Sequence, residues 1–141
     1  MIILDTNVVS EPTRASPSEV VRQWVLAQRQ TDLFTTAITE AEIFGGIAAL
    51  PAGKRRDALN EQARRIFEID FSGKVLAFDS AAARNFSTVA RRKLGSLVLD
   101  ADAQIAAIAH AHGAVVATRN TKDFEGRGIQ VVNPWNHSWK K

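Results

Sequence analysis

Short apolar runs alternate with longer segments of helical periodicity along this chain, and that alternation restricts the fold more than any other feature. Ile2-Ile3-Leu4, Leu33 to Ala37, Lys74 to Phe78, Ala114 to Thr118 and Ile129 to Val132 read as strands. Between them, Ser18 to Gln30 carries Val20, Val21, Trp24, Val25 and Gln28 at helical spacing, and Thr39 to Leu50 reads as a helix ended by Pro51-Ala52-Gly53. Arg55 to Ile69 is amphipathic, with Leu59, Ala63, Ile66 and Phe67 on one side. Ser80 to Leu94 reads as a helix closed by Gly95, and Asp100 to His112 as a helix closed by Gly113. Strands alternating with helices predict an α/β three-layer sandwich, a central, mostly parallel sheet flanked by helices. No repeat, low-complexity tract or linker interrupts the pattern, so residues 1–141 are expected to form one domain, long enough for one core.

The composition narrows the chemistry. Cysteine is absent, which excludes disulfides and thiolate metal sites and leaves oxygen ligands or histidine. No apolar run approaches the roughly 20 residues of a membrane span, and Met1 leads directly into a strand, so a cytoplasmic protein with no membrane partner is expected. The net charge is +3, unevenly spread. Ser80 to Leu99 contains no acid but holds Arg84, Arg91, Arg92 and Lys93. A second basic stretch, Lys54, Arg55, Arg56, Arg64 and Arg65, is partly offset by Asp57 and Glu61. Such patches suit a polyanion, RNA or DNA, although a solvated basic helix face has the same composition.

Several acids stand at the edges of these elements. Asp5-Thr6-Asn7 follows the first strand; all three residue types bond local backbone in turns, yet open α/β sheets also place their ligand crevices at strand carboxyl ends. Glu42 stands three residues after Thr39, as in a capping box, and shares a helical face with Gly45, Gly46 and Ala49. Adjacent glycines inside a helix cost roughly 1 kcal/mol each against alanine, which suggests close approach of another group. Asp102 sits in the first turn of an alanine-rich helix, in line with Ile105, Ala106 and Ala109, while Asp100 is the better N-cap. Thr118-Arg119-Asn120-Thr121-Lys122-Asp123 follows a late strand, and Asn120 and Asp123 both offer oxygen ligands. Carboxylates within about 4 Å of one another repel by a few kcal/mol per pair at an effective dielectric near 20, and a hard cation such as Mg²⁺ or Mn²⁺ relieves that repulsion. The chemistry that follows is metal-assisted phosphodiester hydrolysis.

The segments MIILDTNVVSE, TEAEIFGGI, LDADAQIAAIA and ATRNTKDFEGRGIQVVNPW, in that order and spanning nearly the whole chain, resemble PIN-domain proteins, and among them the VapC/FitB-type toxins of type II toxin–antitoxin modules. The resemblance implies a PIN-like sandwich and a Mg²⁺- or Mn²⁺-dependent endoribonuclease acting on RNA. It also implies a homodimer held inactive in a larger complex by a cognate VapB/FitA-like antitoxin that binds DNA. Carried over by motif, Asp5, Glu42 and Asp102 match the family's first three acids. The fourth often stands where this chain has Asn120, so either Asn120 orients a metal-bound water or Asp123 supplies the charge. Asp5, Glu42, Asp102 and Asp123 are the expected metal ligands, and Asp5, Glu42, Asp102 and Asn120 the expected catalytic set. Thr6 and Thr118 fall where hydroxyls can bond the acids.

The substitution at Asn120 motivates a second reading, a PIN-fold protein that acts mainly by binding its antitoxin in a repressor complex. A phosphoacceptor receiver domain shares the strand–helix alternation, but Asp5 lacks the adjacent acid and Asp79 lacks the partners such a site needs. His110 and His112, two residues apart, do not share a helix face, so a site built on them or His137 is disfavoured. Trp24, Trp135 and Trp139 read as core or interface residues rather than base-stacking platforms.

Overall fold

The computed structural model describes residues 1–136. Five strands, β1 (Ile2–Leu4), β2 (Leu33–Thr36), β3 (Val75–Leu76), β6 (Val115–Ala117) and β7 (Val131–Val132), form one sheet in the order β3-β2-β1-β6-β7, and every pairing is parallel. The helices are α1 (Thr6–Ser10), α2 (Glu19–Ala27), α3 (Ala37–Ala48), α4 (Lys54–Arg65), α5 (Ser80–Val89) and α6 (Ala101–His112). A separate hairpin, β4 (Arg92–Lys93) with β5 (Ser96–Leu97), lies between α5 and α6.

Side-chain alternation along the short strands builds both faces of the sheet. Ile3 and Val116 face one core with Ala82 and Val89 of α5, Ile105 and Ile108 of α6, and Phe124. Their neighbours Leu4 and Ala117 face the other, with Val8, Val21, Trp24, Leu33 and Phe67. A strand that shows one apolar residue to each face must be covered on both, which is why the expected three-layer α/β sandwich forms. α6 packs closely because its inner face is alanine: Ala103, Ala106, Ala107 and Ala109 are fully buried. Asp100 caps it, accepting from the Ala103 amide at 2.9 Å, and Gly113 (φ 62°) closes it in the left-handed conformation that favours glycine. Trp24 lies in the core and Trp135 packs against it, as expected for both; Trp139 and His137 fall outside the described residues.

Several element boundaries differ from the sequence reading: the helix expected over Arg55 to Ile69 is α-helical over Lys54–Arg65 and π-helical over Ile66–Asp70, and two further differences bear on the site. The α5 helix stops at Val89 rather than Leu94. Ala90 turns extended, and Arg127 donates to the free carbonyl of Val89 at 3.0 Å, satisfying one of the last-turn acceptors. Leu94 (φ 53°) and Gly95 (φ 81°) then form the two-residue turn of the hairpin, positive φ at both central positions matching the twist of the strands. Gly95 is thus a hairpin residue, not a helix stop. The second difference is the start of α3. Thr36, not Thr39, is its N-cap and accepts from the Thr39 amide at 3.1 Å, so no capping box involves Glu42. Glu42 lies a full turn further in, free for other work.

Candidate active site

The strand order places a crevice where the chain reverses direction. From β1 the sheet grows through β2 and β3 on one side and through β6 and β7 on the other. The carboxyl ends of β1 and β6, paired through Leu4 and Ala117, therefore open on a topological switch point. Asp5 and Thr118 are the next residues along each strand, and the Asp5 amide donates to Ala117 O at 2.9 Å.

Asp5 is 4% exposed and sits in a built cradle. Its Oδ1 accepts from the Thr6 amide at 2.8 Å, which also caps α1. Its Oδ2 accepts from the Thr118 hydroxyl at 2.8 Å and from Asn7 Nδ2 at 3.2 Å. Thr118 Oγ1 in turn accepts from the Asn120 amide at 3.0 Å, and Asn7 Oδ1 from the Arg119 amide at 3.0 Å. Asp5 is thereby a cap residue and more; the local turn chemistry orients it instead of consuming it. Burial pushes its carboxyl above the usual carboxylate range, opposed by the Thr118 and Thr6 hydrogen bonds and reinforced by the charge of Glu42.

Glu42 joins through a hydroxyl. Thr6 donates to Glu42 Oε1 at 2.6 Å and lies 3.1 Å from the Thr39 hydroxyl, so the residue after Asp5 holds the carboxylate from α3. Asp102 approaches from α6. Its carboxyl is pushed up to about 6, by burial first and then by the charges of Asp5, Asp123 and Asp100, with Arg127 opposing. The four acids thus form a run, Glu42 beside Asp5, Asp5 beside Asp102, Asp102 beside Asp123, each near enough to feel the next. Among the described residues, no three acidic or histidine side chains stand close enough to close around a single ion. Asp5 and Asp102 are the two whose carboxyls burial pushes above the usual carboxylate range.

Asn120 and Asp123 separate in role. Asn120 contributes its amide to Thr118, and its side chain is exposed. Asp123 ends a short 3₁₀ turn, Thr121–Asp123, and its charge reaches Asp102.

Two residues that bear on the site have no site role in the sequence reading, where Asn7 figures only as part of the turn after β1 and Arg127 not at all. Asn7 spans Asp5, Thr118 and Arg119. Arg127 is 4% exposed; its Nε donates to Asp123 O at 2.7 Å while its guanidinium caps α5, so it fixes the turn that carries Asp123. Nothing local marks either: an Asn in a turn and an Arg between two glycines are ordinary. His110 is engaged elsewhere, with Nδ1 2.5 Å from Asn85 Oδ1.

The paired glycines of α3 face open space, since an added Cβ at Gly45 or Gly46 meets nothing within 4 Å. No group of this chain needs their smallness. A small cleft of about 290 Å³, lined by Thr6, Glu42, Gly46 and Leu59, adjoins them. Gly45→Ala and Gly46→Ala are each expected to stabilise the free protein by up to about 1 kcal/mol in urea unfolding. Destabilisation by either would contradict the open geometry.

A larger groove of about 790 Å³ lies away from the acids, between α2 and the end of α4, lined by Val21, Val25, Leu26, Ile66, Ile69 and Phe71. Its walls are mainly apolar, and none of Asp5, Glu42, Asp102 and Asp123 lines it, so the chemistry belongs with the acids at the carboxyl ends of β1 and β6. Among the described residues, no helix is long and apolar enough to cross a membrane.

Residues 2–127 match the PIN domain family. The chain is 44% identical over 137 residues to the VapC ribonuclease Y4jK of Sinorhizobium fredii, covering 96% of this chain and 98% of that protein. It is 38% identical over 138 residues to toxin FitB of Neisseria gonorrhoeae, covering 96% and 99%. A solved structure of FitAB bound to an IR36 DNA fragment superposes over 100% of both chains, with a TM-score of 0.87 and 36% identity.

Proposed function

Because this chain belongs to the PIN-domain family, among its VapC- and FitB-type toxins, we propose that residues 1–141 form one PIN domain acting as the toxin of a type II toxin–antitoxin module, a Mg²⁺- or Mn²⁺-dependent endoribonuclease working in the cytoplasm. The observation that carries the reading is the pair Asp5, at the β1–β6 switch point, and Asp102, at the head of α6: burial pushes both carboxyls up, Glu42 adds to the effect on Asp5, and Asp5 adds to the effect on Asp102. Such a pair fits a hard divalent cation, because Mg²⁺ is commonly held by one or two carboxylates, with waters and substrate phosphate completing its shell. When bound, the cation polarises the scissile phosphate and lowers the pKa of a coordinated water.

The chain's own residues supply the rest. Asp5 and Asp102 would be the principal ligands, and Thr118, Asn7 and the Thr6 amide hold Asp5 in place at the distances given above. Thr6 occupies Glu42 Oε1, which leaves Oε2 to accept a proton from the attacking water as general base. Asp123 supplies the fourth charge that Asn120 lacks, directly or through water, while the main-chain amide of Asn120 helps to hold the Thr118 hydroxyl. Arg127 keeps Asp123 in place through its main chain.

A partner reading goes with this one, a homodimer silenced by a DNA-binding, FitA- or VapB-like antitoxin; the similarity to FitAB bound to DNA supports its DNA-bound complex. The apolar groove beside α2, with Leu26 and Ile69 exposed at its rim, offers the kind of surface a protein partner covers. The primary test is incubation of purified protein with total RNA in Mg²⁺, in Mn²⁺ and in chelator, with mapping of the cut ends. Cleavage in both metals and none in chelator is expected. Equal cleavage in chelator would remove the metal from the mechanism, and no cleavage in any condition would leave the pure binding role.

A further inference from the structure

The basic stretch between α5 and α6 folds into the β4–β5 hairpin, which no helical reading of that stretch anticipates. Arg92, Lys93, Leu94 and Gly95 are all exposed, and Leu94 projects fully into solvent from a left-handed backbone at the apex. Packing within the chain does not explain an apolar side chain there. Nor are the cations neutralised. Among the described residues the ion pairs involve Arg14, Arg22, Arg29 and Arg64, and none reaches Arg84, Arg91, Arg92 or Lys93.

The hairpin is also fastened to the acidic crevice from two sides. Its second strand runs through Val98 and Leu99 into Asp100, the cap of the helix bearing Asp102. At its base, the Arg91 guanidinium donates to the carbonyls of Lys122 at 2.8 Å and Glu125 at 2.6 Å, on either side of Asp123. A cationic arm is thereby held at a fixed position beside a cluster of carboxylates. Carboxylates alone repel a phosphodiester chain, so such a chain needs a cationic hold close to, but outside, the reacting centre.

We propose that the β4–β5 hairpin is the substrate grip, with Arg92 and Lys93 binding backbone phosphates of RNA next to the one delivered to the acids, and Leu94 lying against a ribose or base. The assignment rests on the ribonuclease reading above. It favours RNA over a second copy of this chain, because two hairpins each carrying unpaired Arg92 and Lys93 would repel across a two-fold axis.

The test measures binding of a labelled single-stranded RNA by full-length protein in a cleavage-deficient Asp102→Asn background, over a range of salt. Adding R92Q and K93Q together is expected to weaken binding roughly tenfold and to lower the slope of log affinity against log salt by about 1.4, two phosphate contacts' worth. K93Q alone is expected to remove about half of that slope change. A control pair, R29Q and K74Q, removes the same formal charge just before β2 and β3, at the opposite end of the strands, from an Arg29 already paired with Asp32, and is expected to change neither quantity. Thermal unfolding should be unaltered by R92Q/K93Q, whose side chains are exposed. Unchanged affinity and slope would overturn the grip while leaving the nuclease reading standing. Unchanged RNA binding with a shift from dimer to monomer in sedimentation would overturn it in favour of a second copy. Failure of the Asp102→Asn parent itself to bind RNA would overturn the grip, and would bring down the nuclease reading with it only if wild type also fails to cleave in Mg²⁺ and Mn²⁺.

Discussion

Replacing Asp5 by Asn is expected to reduce RNA cleavage by roughly three orders of magnitude or more while the protein remains folded. That size corresponds to loss of several kcal/mol of charge stabilisation in the transition state. The fold survives because the substitution preserves shape and because Oδ1 can still accept from the Thr6 amide. The cost is local. An amide group would face Asn7 Nδ2, donor against donor, and would ask the Thr118 hydroxyl to reverse its role. One mispaired buried group costs about 1–3 kcal/mol, partly offset by relief of a buried charge beside Glu42. Cleavage assays on total RNA, with circular dichroism melts of the same samples, check both halves. A folded Asp5→Asn protein that still cuts in a metal-dependent manner would disprove the assignment of Asp5.

Asp102→Asn should separate the site's chemistry from its contribution to stability even more sharply. Burial and the neighbouring acids push the Asp102 carboxyl up to about 6 in the folded chain, from 3.8 in the ordinary side chain. The folded state therefore binds the proton more tightly than the unfolded one. The stability this confers is fully present below about pH 4 and is lost as pH rises through about 6. Metal-free wild-type protein should accordingly lose stability across that window, whereas the Asn variant, which cannot ionise, should not. Asp102→Asn is expected to melt higher than wild type at pH 7 in chelator, with the gap closing toward pH 4, and to have lost cleavage. Adding Mg²⁺ or Mn²⁺ at pH 7 should raise the melting temperature of wild type but not of the variant, since only a ligand of the folded state shifts the midpoint. A gap that is the same at pH 4 and pH 7 would show that Asp102 does not carry the strain assigned to it.

The two carboxylates invite different substitutions because their surroundings differ. Asp5 is held by three donors that want a full acceptor, and Asp102 is surrounded mainly by other acids. Comparing the variants asks whether stability lost at one corner and gained at the other accompanies the same loss of function. That is the signature expected where acids are gathered for a cation.

Legibility in the sequence followed the range of the interaction. Strands at Ile2–Leu4 and Val115–Ala117, the Asp100 cap and the Gly113 stop all rest on periodicity or on bonds between residues a few positions apart. Such signals survive without any knowledge of what lies across the core. The helix over Ser80 to Leu94 failed for the complementary reason: its stop is set by Arg127, 38 residues beyond Val89, through a side-chain bond that no local pattern encodes. Thr39 matches a capping box locally, whereas Thr36 both ends β2 and caps α3, and only the observed turn shows which hydroxyl meets which amide.

The acids divide in the same way. Their presence at element edges is a property of the sequence, and the family motifs single out Asp5, Glu42 and Asp102 by order alone. Their mutual geometry is not. The Thr118 hydroxyl reaches Asp5 across 113 positions and Thr6 reaches Glu42 across 36, because the parallel pairing of β1 with β6 and the seating of α3 beside α1 bring them together. Alternating apolar runs were enough to determine a parallel sheet covered on both faces, since burial depends on a residue's own neighbours. Which carboxylate sits in a cradle, which feels its neighbour's charge, and where a cationic hairpin stands were decided only by tertiary structure, because electrostatics and hydrogen bonds act across space rather than along the chain.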